Sequence, residues 1–311
     1  MNPIAFHLGP LEIRWYGIMM AMSMMLAAAI SAHLLKKTGR NGELVWDGLV
    51  WIILAGVIGA RLVYVVTNLG EYHGQPPWHL IAVWEGGLSF HGGIIAGMLA
   101  SWAYFGNKGI PFVEIMDSFA PGVSLGIILV RIGNTMNGDI LGYKWGGPWA
   151  MNFPHDEYHQ APGTAGTIIL RHPTELYGLL VGVLCLAISF WLWNSTYVAR
   201  KFAPGTAYLG FVIAYSFIRS VIEEPFRYVP LVWPITPKPV HGVAPAGFGA
   251  LTTTQVVSIL LILLGIWGLT QTRKWEKRRA EAVASGIRTA GGPSGLTRQQ
   301  RRAKEREEAK N

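Results

Sequence analysis

Phe119-Ala-Pro-Gly-Val-Ser-Leu-Gly-Ile-Ile-Leu-Val130 runs straight into Arg131-Ile-Gly-Asn134-Thr-Met-Asn137-Gly-Asp139. The first half has the composition of a membrane-spanning helix. The second half puts a permanent cation, two amides and a carboxylate where such a helix should continue. An ionised side chain at membrane depth is costly unless it meets a partner, water or a ligand. The stretch therefore reads as a spanning helix whose end carries a functional site, with an anionic partner for Arg131.

The rest of the 311-residue chain agrees with that reading. Only 14% of its residues are charged and 51% are hydrophobic, with mean hydropathy +0.31, whereas soluble domains carry about 25% charged residues. A spanning helix needs about 20 apolar residues. Segments of that kind fall at Trp15–Leu35, Leu44–Thr67, Leu88–Phe105, Phe112–Arg131, Thr174–Trp193, Thr206–Ile222 and Thr253–Thr270. The expected fold is all-α, a polytopic membrane bundle of about seven helices. The first segment lacks the basic start and small-residue cleavage site of a signal peptide, so it is expected to stay as a helix.

Basic residues set the orientation. Lys36, Lys37 and Arg40 follow the first segment, Lys108 the third, Arg200 and Lys201 the fifth, and Arg273, Lys274 and Lys277 the seventh. All fall on one side, which is then cytoplasmic. The N-terminus, the loops 68–87, 132–173 and 223–252, and the Arg131 end of segment four face outward. The chain divides into a membrane portion, 1–272, and a basic tail, 273–311, expected to lack fixed structure. From Gln271 onward there are 12 Lys/Arg against 5 Asp/Glu, so most of the net charge of +8 lies there. That placement fits an inside-positive tail on anionic lipid better than a nucleic-acid partner. Cys185, the single cysteine, lies in an apolar segment and forms neither a disulfide nor a metal motif. Any thiol chemistry would need its thiol from the substrate.

Three polar groups sit inside apolar segments. Gly86-Gly87-Leu-Ser-Phe-His91-Gly92-Gly93 places a histidine between two glycine pairs. His91 can move a proton near neutral pH or can simply bond between close helices whose glycines serve packing. On a helix, Arg131, Asn134 and Asn137 share one face. Tyr215, Arg219 and Glu223 recur at four-residue spacing and form a second polar stripe. Arg61 is a third embedded arginine. Forked guanidinium donors match a phosphate, so three of them, unaccompanied by lysine, point to an anionic lipid headgroup. Arg171-His172-Pro173-Thr174-Glu175-Leu-Tyr177 opens segment five, and part of it is helix punctuation. A transporter or flippase for an anionic solute, or a scaffold without chemistry, also accommodates embedded arginines.

Four of these motifs in this order resemble the prolipoprotein diacylglyceryl transferase family of bacterial inner membranes. They are Gly86-Gly87-x-x-x-His91-Gly92-Gly93, Arg131-x-Gly133-Asn134-x-x-Asn137-Gly138-Asp139 with Gly142, Arg171-His172-Pro173-x-x-Leu176-Tyr177, and Tyr215-x-x-x-Arg219-x-x-x-Glu223. The likeness runs from Trp15-Tyr16-Gly17 through the seventh segment. Asp139 stands where the family usually has Glu, Gly178 where Glu is common, and Glu175 where Gln is common.

The resemblance implies transfer of the diacylglyceryl group of phosphatidylglycerol to the thiol of a lipobox cysteine in a prolipoprotein signal peptide, giving a thioether and glycerol phosphate. It implies no metal or nucleotide cofactor, and an active site toward the periplasmic face. His91, Arg131 and Arg219 are then the expected catalytic residues. Tyr16, Arg61, Gly92, Asn134, Asn137, Asp139, Gly142, Tyr215 and Glu223 are the expected substrate-binding set. Within it, Glu223 is expected to hold Arg219.

Overall fold

The computed structural model describes residues 2–9, 11–138, 140–153, 168–228 and 251–284. Asp139, residues 229–250 and the tail from 285 lie outside the described residues, and so do the expectations attached to them. Seven helices follow one another: α1 Trp15–Lys37, α2 Glu43–Thr67, α3 Phe90–Asn107, α4 Phe112–Asn137, α5 Thr174–Tyr197, α6 Thr206–Ile222 and α7 Thr253–Ala284. Helix is the form an apolar chain takes in lipid, because it satisfies every backbone group internally. Among the described residues six helices are long and apolar enough to cross a membrane. The seventh, α3, has 18 residues, and glycines 92, 93, 97 and 106 dilute its apolar content.

α4 and α7 outrun their expected ends the furthest. α4 does not stop at Arg131 but continues through Asn137, where Gly138 at φ +70° donates its N–H to the Asn134 carbonyl at 2.7 Å. A left-handed glycine is a regular way to end a helix. α7 continues 14 residues past Thr270 to Ala284, so the first part of the basic tail is helical. An N-terminal hairpin, β1 Ile4–Leu8 and β2 Leu11–Arg14, was not expected. Met151–Asn152 and Leu170–Arg171 form a second small ladder, β3 and β4.

The described residues divide into two compact units, one within Met1–Ile30 and Asp117–Glu281 and one within Ser31–Met116 and Ala282–Asn311. In the first, α1 and α4 approach closely: a side chain on Gly122 would meet the Ala27 backbone, and one on Gly133 the Tyr16 Cα at 3.1 Å. Ala120, Val181, Cys185 and Phe211 form a buried core between α4, α5 and α6. At the far end of this core stands Asp117, fully buried. It accepts from the Tyr197 hydroxyl at 2.9 Å, the Gly205 N–H at 2.6 Å and the Tyr208 N–H at 2.8 Å. Gly205 has no side chain to cap α6. Asp117 therefore caps that helix from α4, where the carboxylate also meets the positive helix end.

In the second unit, α2 and α3 pack through glycine. Gly59 would bring a side chain within 2.8 Å of the Gly92 carbonyl, and Gly92 would press on Val63 at 2.7 Å. The Arg40 guanidinium forks onto Glu114 at 3.1 and 3.0 Å, with Thr38 donating to the same carboxylate.

Candidate functional site

The end of α4 that carries Arg131 meets the end of α6. Arg131 Nη2 donates to both oxygens of Glu223, at 2.7 and 2.9 Å. Both residues are buried, Arg131 at 7% and Glu223 at 0% exposure. An ion pair so far from water stands only when its geometry is good. Glu223 was expected to hold Arg219. It pairs with Arg219 along one helix face, Nε to carboxylate at 3.7 Å, outside hydrogen-bond range, and gives its two short bonds to Arg131. A second carboxylate, Glu224, faces Arg219 Nη2 at 3.7 Å as well. Arg219 Nε is buried without a hydrogen-bond partner among the described residues. Tyr215 lies one turn back, its ring centroid 5.9 Å from the Arg219 guanidinium carbon.

Two members of this cluster were not singled out from the sequence. Glu224, 1% exposed, is held by Thr252, whose hydroxyl donates to it at 2.8 Å. Thr252 and Gln255 bond reciprocally, side chain to N–H, at 3.1 and 3.0 Å. This capping box ties the start of α7 to the end of α6. Arg227 is the other. Burial, then the charge of Arg219, holds its guanidinium below the usual range, while Glu223 and Glu224 oppose that shift. Three arginines against two carboxylates leave one positive charge among the described residues. That excess, in a buried cluster, suits one monoanion.

Around the cluster, Asn134 is buried and Tyr16 half-buried, and Asn137 closes α4 two turns beyond Arg131. Gly142 is a packing glycine. It pairs with Arg227 across an isolated bridge, its carbonyl takes Arg171 Nη1 at 3.1 Å, and a side chain there would collide with the His172 backbone. His172 stacks on Trp145 at 4.4 Å and 8°, lies 4.8 Å from Phe226, and bonds Tyr177 through Nδ1 at 3.0 Å. Burial pushes the His172 pKa down.

The second unit holds the remaining expected residues. Arg61 was expected to bind substrate, but its donors are committed to the loop that precedes α3. Nε donates to the Leu80 carbonyl at 3.0 Å, Nη1 to Gly86 at 2.7 Å and Gly87 at 3.1 Å, and Nη2 to His79. Gly86 and Gly87, at φ +87° and +66°, turn those carbonyls inward, a conformation glycine adopts at little cost. Arg61 is a loop clamp. Gly92, expected in the substrate site, is buried against α2, so its missing side chain serves helix packing. His91 is exposed in the first turn of α3, and its ring meets Phe90 edge-on at 6.0 Å.

Comparison with known proteins adds the family. The model described as prolipoprotein diacylglyceryl transferase matches residues 3–271. A phosphatidylglycerol–prolipoprotein diacylglyceryl transferase of Thermus thermophilus is 36% identical over 291 residues, covering 88% of this chain and 99% of its own. One from a Thermoanaerobacter species is 31% identical over 268 residues, covering 86% and 92%. One from Legionella pneumophila is 32% identical over 269 residues, covering 86% and 95%.

Proposed function

The chain belongs to the prolipoprotein diacylglyceryl transferase family, and from this premise we propose how its residues share the reaction. It is a multi-pass membrane transferase that moves the diacylglyceryl group of phosphatidylglycerol to prolipoprotein. The transporter alternative is not favoured. In our reading the acceptor is the thiol of a lipobox cysteine, the membrane is the bacterial inner membrane, and the site faces outward. The Lys and Arg bias of the opposite loops supports that side.

The observation that carries the reading is the unequal cluster of Arg131, Arg219 and Arg227 with Glu223 and Glu224. Its single surplus charge matches the phosphodiester of phosphatidylglycerol. Arg219 has an Nε without a hydrogen bond among the described residues and meets Glu223 and Glu224 only at ion-pair distance, 3.7 Å each, so it is the first donor for the phosphate. Arg131, braced by Glu223, supplies the second positive face. Asn134 and Asn137 on the same helix orient the headgroup, and Tyr16 and Tyr215 line it. Gly142 fixes the backbone beside Arg227.

The chemistry then balances. The cysteine loses its proton to a base, for which His91 is our candidate. Its thiolate, the reactive form, attacks the glyceryl carbon. A carbon–sulfur bond forms, the carbon–oxygen bond to phosphate breaks, and the electron pair leaves on glycerol phosphate. Negative charge grows on that leaving group, where preorganised guanidinium donors act most strongly.

The test is mass spectrometry of a lipobox peptide incubated with the purified protein in phosphatidylglycerol vesicles. A diacylglyceryl increment on the cysteine is expected. No increment with folded protein overturns the reading. A pH series with His91→Gln tests the base: an unchanged profile with most activity kept removes that role.

A further inference from the structure

We propose that Tyr143 is a positioning residue for the transfer, its hydroxyl the reserve donor for Glu224 when a phosphate engages Arg219. The inference rests on the reading of the arginine cluster given above. Residues 141–143 follow the end of α4 and lie between two backbone partners. The Tyr143 N–H donates to the Phe226 carbonyl and the Tyr228 N–H to the Leu141 carbonyl, both at 2.9 Å. On the other side the His172 N–H donates to the Tyr143 carbonyl at 3.1 Å. The backbone thus sets Tyr143 opposite Phe226, the last residue of the turn Glu224–Phe226 that follows α6. Tyr143 is 8% exposed, and its ring stands edge-on to that of Tyr228, centroids 6.0 Å apart. Its hydroxyl makes no hydrogen bond among the described residues. A buried tyrosine usually finds a partner for its O–H.

Beside it stands a carboxylate with the complementary lack. Glu224, 1% exposed, takes the Thr252 hydroxyl on Oε1 at 2.8 Å. Its Oε2 is buried without a hydrogen bond among the described residues and faces Arg219 Nη2 at 3.7 Å. Burial, then Tyr228, then the charge of Glu224 push the Tyr143 pKa up. The phenol therefore keeps its proton and lies near enough to feel that carboxylate. A phosphate drawn to Arg219 competes with Glu224 for the same cation. A buried carboxylate oxygen left without a donor is costly, and that cost opposes binding. The Tyr143 hydroxyl offsets it by turning its proton to Oε2. Thr252 anchors the other oxygen, so Glu224 stays beside Tyr143 when Arg219 turns to the phosphate. Tyr143 thus acts through Glu224 and not on the reacting atoms.

The experiment compares Tyr143→Phe with wild type in the full chain, in vesicles of graded phosphatidylglycerol content, with rates expressed per folded molecule. Phenylalanine keeps the ring and loses only the hydroxyl. KM for phosphatidylglycerol is expected to rise on the order of 10- to 100-fold, the range for a hydrogen bond to a charged group. The exchange accompanies binding, so kcat is expected to stay within about twofold. Calorimetric binding of glycerol phosphate is expected to weaken by the same factor as KM. Without ligand, Tyr143→Phe is expected to melt no lower than wild type, because the hydroxyl it loses has no partner there. In a Glu224→Ala background, Tyr143→Phe is expected to add less than about twofold, since the pair acts as one unit. Should Glu224→Ala not fold, KM, glycerol phosphate affinity and melting temperature of Tyr143→Phe decide by themselves. An unchanged KM, an unchanged glycerol phosphate affinity, a lower melting temperature, or the full loss repeated in the Glu224→Ala background would each overturn the proposal. Absence of transfer by the wild-type chain would instead sink the functional reading, and glycerol phosphate binding, wild type against Tyr143→Phe, would still judge Tyr143.

Discussion

Arg61 and Arg131 look alike until their partners are known. Each interrupts an apolar helix, and each is buried, at 6% and 7% exposure. Arg61 commits Nε and both terminal nitrogens to four backbone carbonyls of one loop, with the rings of Tyr64 and Tyr72 centred 6.0 and 5.6 Å from its guanidinium carbon. Dipoles and ring faces satisfy that cation where it stands. Arg131 instead binds a carboxylate that also faces Arg219, within a group where cations outnumber anions. The contrast teaches that depth and residue type do not mark a site in a membrane bundle. A surplus of charge among the described residues does, because it gives an anionic ligand something to meet.

The largest effects should come from the surplus. Arg219→Gln removes the cation with an uncommitted donor and should cut transfer about 10²–10³-fold, the usual cost of one preorganised donor, with the protein still folded by gel filtration. Retention of more than a tenth of the activity would break the comparison at its centre. Glu223→Gln comes next. It leaves Arg131 buried without its counter-charge, a loss of about 3–5 kcal/mol for a broken buried pair. Thermal unfolding in detergent should register that loss, together with reduced transfer. An unchanged melting temperature would mean that Arg131 does not depend on Glu223.

Much of this was legible in the chain. Seven apolar runs gave seven helices because in lipid the backbone has no cheaper alternative, and the starts of α2, α5, α6 and α7 fell within a residue of their expected places. The spacing of Tyr215, Arg219 and Glu223 did put charge on one end of α6. What the spacing did not show was the second, shorter pairing. Four-residue spacing joins Arg219 to Glu223 on one helix, yet the shorter bond crosses from α4, and no periodicity on one helix reports its neighbour. The loop partners of Arg61 were not visible because its acceptors are backbone carbonyls, which every residue has. Arg227 was passed over because it follows Pro225, beyond the end of α6. Asp117 was missed for want of any motif, since its donors are the N–H groups of another helix. The N-terminal hairpin had a signal, Gly9-Pro10 between two short apolar stretches, that the strong helical pattern beside it overshadowed.

A smaller effect should separate the clamp from the cluster. Arg61→Lys keeps the charge but loses the planar fork. Bonds to a charged group contribute about 1.5–3 kcal/mol each, and a single ammonium cannot span Leu80, Gly86, Gly87 and His79 together. The loop 79–87 should exchange its amide hydrogens faster, while transfer falls by less than about tenfold. If Arg61→Lys instead matched Arg219→Gln in lost transfer with loop exchange unchanged, Arg61 would belong with the substrate and the distinction drawn here would fail.

The smallest expected effect concerns acid, and it touches the cluster's side alone, since the Arg61 clamp has no titrating acceptor. His172 is packed between Trp145 and Phe226, and burial lowers its pKa from the usual ~6.5. The Tyr177 hydroxyl already accepts from Trp149 at 2.8 Å, so its own proton is free to point at His172 Nδ1, 3.0 Å away. That arrangement suits a neutral imidazole. Once protonated, the ring would present a donor to an oxygen whose hydrogen then loses its acceptor. Because the folded pKa is depressed, the unfolded chain takes up a proton first as pH falls. The stabilisation is therefore complete above the unfolded value near ~6.5 and is lost as pH drops through the lower folded value. Melting temperature should decline between pH 7 and 5, and His172→Gln should flatten that decline while leaving the neutral-pH value little changed. The Gly142–Arg227 bridge lies against the His172 backbone, so transfer should weaken over the same pH window in the wild type. An acid decline that persists undiminished in His172→Gln would assign it elsewhere and detach the aromatic stack from the arginine cluster.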